Sequence, residues 1–136
     1  MEDLSNYEKL KEAAINFYHN IGKIHSPVLE QDIYFTAEGF NHIIFTNSRS
    51  ERERLSQILR FKLLSLAVKL VKISTTYQEF EETLKEFNVK SYKKTVRKTK
   101  SVKYWGIIAI IDGRKIKVIL RKVGENGNIH FWSMAH

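Results

Sequence analysis

The sequence predicts an α+β domain with N-terminal helices packed on one face of a C-terminal antiparallel β-meander of three to four strands. Three observations point there. Apolar residues recur at helical spacing through much of the first two thirds of the chain. From Val89 the pattern changes to β-branched residues and alternation. The last third carries Asp112-Gly113 and Asn126-Gly127 between apolar runs, the strongest short hairpin signals. A chain of 136 residues, 43% of them hydrophobic, is sized for one core, so residues 1–136 read as a single domain.

The elements follow in order. Ser5 and Glu8 form a capping box, and Tyr7, Leu10, Ala14, Phe17 and Ile21 then share a helical face that stops near Gly22. Beyond Pro27, the only proline, Asp32 to Thr36 reads as a short extended piece. The following GFNHIIFTN fits helix or strand. Ser50 with Glu53 is a second capping box, opening a long helix from Glu51 to Ile73 with apolar positions at Leu55, Ile58, Leu59, Leu66, Leu70 and Ile73. Thr76 with Glu79 is a third, predicting a short helix whose face of Tyr77, Phe80, Leu84 and Phe87 has the spacing of core residues. The segment KSYKKTVRKTKSVKYW then holds seven Lys and Arg from Lys90 to Lys103 and no acid, and predicts a basic strand ahead of a three-stranded meander.

Two-residue turns at Asp112-Gly113 and Asn126-Gly127 set a register. Tyr104 falls opposite Arg121, Arg121 opposite Trp132, and His130 opposite Val123. Alternation then places Tyr104, Lys117, Arg121, His130 and Trp132 on one face. Trp105, Ile107, Ala109, Ile116, Val118, Leu120, Ile129 and Phe131 take the other, which is the expected core side. An ordinary polar sheet face accounts for the lysines; it accounts poorly for a histidine among two aromatics.

The net charge of +8 is unevenly placed. Residues 1–88 hold 11 Lys and Arg against 13 Asp and Glu; residues 89–136 hold 12 against Asp112 and Glu125 alone. A cationic third of this kind suits a polyanion: nucleic acid, an acidic membrane or an acidic protein. Charge kept for solubility is usually mixed in sign. The absence of cysteine excludes disulfides, thiolate zinc sites and a cysteine nucleophile. No apolar run reaches membrane-spanning length, and the acidic start is unlike a signal peptide, so the expectation is a cytoplasmic protein with no membrane partner.

No glycine-rich phosphate loop, HExxH or CxxC occurs. Carboxylates are nearly absent from the basic third, which argues against a two-metal nuclease; no metal site and no cofactor are expected. RNA chemistry without a metal remains open, because the 2′-hydroxyl is a built-in nucleophile. It needs proton transfer, which suits histidine, and charge stabilisation at phosphorus, which suits arginine and lysine. His130 is the first histidine candidate and His42 the second, the latter balanced against an ordinary core histidine. For RNA contact the candidates are Arg49 at the opening of the long helix, Lys90, Lys93, Lys94, Arg97 and Lys98 in the basic strand, and Tyr104, Lys117 and Trp132 on the sheet face, where rings can stack on unpaired bases. Arg52 and Arg54 read equally as partners of Glu51 and Glu53. His19, His25 and His136 read as structural.

YFTAEGFNHIIF, the arginine in NSRSERER, and above all the final strands KIKVILRKVGENGNIHFWSM resemble the barnase–EndoU–colicin–RelE (BECR) nucleases, in particular their phage and mobile-element branch. The resemblance spans about Ile33 to Met134. It implies metal-independent RNA cleavage, helices leading a four-stranded antiparallel sheet, and a toxin-like role. His42 would be a helix-borne acid or base; Arg121, His130 and Ser133 would be sheet-borne catalytic or phosphate-binding residues. Ser133 departs from this, since the register above points it to the core. The expected partners are RNA, with tRNA one candidate, and an acidic antitoxin or immunity protein. Two other classes stay open: a non-catalytic RNA- or DNA-binding module using the same face, and a RelE/ParE-type toxin that acts by binding a protein target.

Overall fold

A computed structural model describes residues 6–136. Three helices, α1 (Tyr7–Ile21), α2 (Ala37–Ile44) and α3 (Arg54–Ile73), are combined with six strands: β1 (Lys23–Ser26), β2 (Gln31–Tyr34), β3 (Glu79–Ser91), β4 (Lys94–Ile111), β5 (Arg114–Val123) and β6 (Ile129–Ala135). They form one mixed sheet in the order β1-β2-β6-β5-β4-β3, antiparallel except for β2 beside β6. The architecture is α+β, but the sheet is wider than the expected meander of three to four antiparallel strands. The two extra strands at one edge come from the N-terminal half, and β3 comes from the segment read as a short helix. No described helix is long and apolar enough to cross a membrane.

The core lies between the helices and the sheet face carrying Trp105, Ile107, Ile116, Val118, Leu120, Ile129 and Phe131, the face that alternation predicts. Aromatic rings knit the layers: Tyr18 meets Phe35, Phe40 and Phe131, and Phe61 of α3 meets both Tyr7 and Phe40. Gln57 is fully buried on α3 yet satisfied, by the Tyr7 hydroxyl, Glu51 and the Arg52 carbonyl. The outer members of the predicted stripes, Phe17, Leu55 and Ile73, stay exposed.

The Asp112-Gly113 turn forms as expected. Both residues have positive φ, 52° and 77°, as a type I′ hairpin requires. Two of the three predicted capping boxes do not account for a helix start, and the first rests on a residue that is not described. Ser5 lies outside the described residues. Ser50 and Glu53 do not form one: α3 starts at Arg54 rather than Glu51, Glu53 caps it without a side-chain hydrogen bond, and Glu51 instead bridges to Phe45. The Thr76–Glu79 box fails outright, because Glu79 to Ser91 pairs along its whole length with β4. Helix propensity is overridden by tertiary pairing and charge complementarity: Glu79 pairs with Lys117, Glu82 reaches Lys103 and Ser101, and Glu86 holds Arg97 at 3.2 Å. Tyr77, Phe80 and Leu84 are accordingly exposed rather than core, and Phe87 is half-buried.

Candidate nucleic-acid interface

The face away from the core carries the chemistry. Tyr104 pairs with Arg121 as the first turn dictates, and Ile111 with Arg114. On the other side of β5 the predicted register fails: Arg121 lies opposite His130, not Trp132. Five residues separate Val123 from Ile129, with Gly124 left-handed at φ 70°, so the second connection is a longer loop rather than a two-residue Asn126-Gly127 turn. A β-bulge follows. Leu120 pairs with Phe131 and Ile119 with Ser133, leaving Trp132 as the extra residue. Trp132 and Ser133 therefore sit side by side between the buried Phe131 and Met134. Ser133 is turned from the expected core side to the face of Arg121 and Lys117.

Trp132 organises what lies behind it. The Arg121 guanidinium carbon stands 4.0 Å from its ring centre, 5.7 Å from that of Tyr104 and 6.0 Å from that of Phe87. The His42 ring lies 4.2 Å from Trp132 centre to centre, and the His130 ring 5.8 Å away, edge-on. Arg121 is only 7% exposed; among the described residues its one carboxylate is Glu38 at 3.9 Å, and its Nε has no partner. His130 Nε2 is likewise buried and unpartnered. Burial pushes the pKa of His130 below the usual histidine value, with Arg121 and His42 adding to the effect and Glu38 opposing it. Burial also lowers His42, again against Glu38 and with help from Arg52 and Arg121.

An open groove of about 1150 Å³ runs over this face. Of the predicted site residues, His42, Arg49, Tyr104, Lys117, Trp132 and Ser133 line it. Arg121 and His130 do not line it; they form a layer against the Trp132 ring in which Arg121 carries the charge. Arg49 enters from a turn that puts it at φ 64°, closed by its N–H on the Thr46 carbonyl at 2.9 Å. Lys90, Lys93, Lys94, Arg97 and Lys98 are not gathered here. They lie towards the exposed tip of the β3–β4 hairpin, whose turn at Tyr92-Lys93 holds Tyr92 at φ 56°.

The sequence reading missed four charged groove residues. Glu38 stands one helical turn before His42 on α2, a spacing that puts both on one face and was available as a signal. Glu79, Glu81 and Lys85 arrive on β3, which was misread. Lys85 donates to the Tyr104 hydroxyl at 2.8 Å, and Glu79 takes Lys117. The basic face therefore has carboxylates beside it, contrary to expectation, although among the described residues no three His, Asp or Glu converge as a metal would need. Gly39 sets the depth of α2: a Cβ there would lie 2.6 Å from the Tyr18 hydroxyl and 2.8 Å from the Phe131 ring, and would collide with the Phe131 carbonyl. No protein-family model, curated protein or solved structure matches the chain.

Proposed function

We propose that the groove binds RNA and cleaves it without a metal, by attack of a 2′-hydroxyl on the adjacent phosphate, leaving a 2′,3′-cyclic phosphate and a 5′-hydroxyl. The observation that carries this reading is the pair Glu38 and His42, one turn apart on α2, lining a groove shared with Arg49, Lys85, Lys117, Tyr104 and Trp132. A carboxylate can take the 2′-hydroxyl proton, and a protonated imidazole can return one to the departing 5′-oxygen. Burial keeps His42 mostly neutral in the free protein; an incoming phosphate raises its pKa and makes it an acid when substrate is bound. Lys117, Arg49 and the Ser133 hydroxyl supply charge and a hydrogen bond at phosphorus. Arg121 and His130 then act as positioning residues, holding Trp132 and Glu38, rather than contacting substrate. The exposed basic arm steers and holds the strand, and an acidic antitoxin-like protein is the kind of partner that arm and groove would accept.

A binding module without catalysis is the second reading. The closed layer of Arg121 and His130 favours it, because the strongest charge on this face does not reach the groove. Incubation of the purified protein with total RNA in EDTA separates the two. Cyclic phosphate ends support cleavage as described. Tight binding with intact RNA leaves the module, and cutting of all-deoxy substrate at a comparable rate removes 2′-hydroxyl attack.

A further inference from the structure

A second group of cations converges away from the groove, where α3 meets the end of β6. Arg60 is a residue of α3 and only 8% exposed. One of its terminal nitrogens donates to Ser56 and lies 3.3 Å from His136 Nε2, while its Nε has no partner among the described residues. Burial pushes His136 below its usual pKa, with Arg60, Arg114 and Arg52 adding to the effect, and burial likewise lowers Arg60, with Arg52 adding. Among the described residues, none of Arg52, Arg60 and Arg114 has a carboxylate within 4.0 Å. A buried guanidinium is normally paired and hydrogen-bonded, because burying an uncompensated charge is costly. Here, among the described residues, the guanidinium meets the Ser56 hydroxyl and the His136 ring but no carboxylate, so its charge is left without a counter-ion that an anion would supply.

We propose that Arg60, His136, Arg52 and Arg114 form a binding site for one phosphate-type oxyanion, separate from the groove. A planar guanidinium grips two oxygens of such an ion, and a tetrahedral dianion can accept from several donors at once, which a carboxylate held by a single fork does not. His136 and Arg114 are exposed, so the ion enters beside the His136 ring. Arg52 links the site to the groove: its Nε donates to the His42 carbonyl at 3.1 Å. The source is either a free phosphate or a backbone phosphate of a strand that leaves the groove past Arg52. Only the second source rests on the proposed function.

The test uses the whole protein and inorganic phosphate, with sodium chloride at matched ionic strength as the control. A ligand that binds only the folded state raises the melting temperature as its concentration rises. Phosphate is expected to do so beyond chloride and to raise the pKa of His136, followed by the NMR shifts of its ring protons. Arg60→Met should abolish both effects. His136→Ala and Arg114→Ala, at exposed positions, should each weaken the melting shift even if Arg60→Met does not fold. No phosphate effect beyond chloride, or an equal effect in the variants, overturns the site. A 2′-O-methyl oligonucleotide, which cannot be cut by 2′-hydroxyl attack, separates the sources: displacement of phosphate from His136 assigns a backbone phosphate, and retention assigns a free one. His42→Ala should leave phosphate binding intact, so loss of the ribonuclease reading does not touch this one.

Discussion

Strand β4 lives in two environments. Its second half, from Val102 on, pairs with β5 and, as far as Gly106, also with β3, with its core-facing side chains beneath the helices; its first half runs out with β3 as a solvated arm. The buried half belongs to the layer that fixes ring and charge positions: Tyr104 faces Arg121, and Trp105 enters the core. The arm carries most of the lysines of this strand and few fixed contacts. A cation counted in the sequence can thus serve in two ways. In solvent it attracts a polyanion from a distance and is screened by salt; behind a ring it orients neighbours and is barely screened. The location of a charge, rather than the total of +8, decides which.

The sharpest break between the two regions is in rate. His42→Ala is expected to lower RNA cleavage by about 10²–10⁴, the contribution of a positioned acid or base, with the melting temperature nearly kept. Replacing Lys93, Lys94 and Lys98 together should raise KM and leave kcat in place. His130→Ala should lower turnover less than His42→Ala, because His130 acts through Trp132; an equal loss at an unchanged melting temperature would show that the layer behind Trp132 opens to substrate.

Gly39→Ala tests how tightly the site depends on packing. The added methyl must push α2 off β6, costing about 1–3 kcal/mol of stability. It should also lower turnover, because Glu38 and His42 move with the helix. Calorimetry and single-turnover rates on the same sample measure both effects, and a shift in only one would uncouple α2 from the groove.

Salt dependence is the arm's own signature. Removing Lys93, Lys94 or Lys98 should each reduce the log–log slope of RNA affinity against salt by about one unit or less. Arg97 should count for less, since Glu86 already neutralises it. Arg121→Lys should leave the slope unchanged and act instead on turnover, because a point charge does not stack between rings as a planar fork does.

The smallest expected effect is on stability against pH. Burial lowers the pKa of His42, His130 and His136 in the folded protein. Each then binds fewer protons folded than unfolded between its lowered value and about 6.5. Stability is therefore full above that range and is lost as pH falls through it. Melting curves taken from about pH 7.5 down to about pH 5.5 should show this loss, and His130→Ala should flatten it.

The sequence by itself determined the features that act over a few residues. Alternation named the core face from Trp105 to Phe131, and Asp112-Gly113 set the Tyr104–Arg121 pairing, since both residues accept the positive φ that the turn demands. It also placed Lys117, His130 and Trp132 on the face of Arg121. Tertiary structure alone decided which distant segments pair. Residues 79–91 carry a helical pattern, and the Tyr92-Lys93 turn after them has no glycine or asparagine to announce it; they became a strand because β4 offers a long unpaired edge of matching charge. The parallel contact of β2 with β6 brings α2 to the site, and the bulge at Trp132 turns Ser133 outward. No local signal encodes either one, because both follow from packing between segments that meet only in the folded protein.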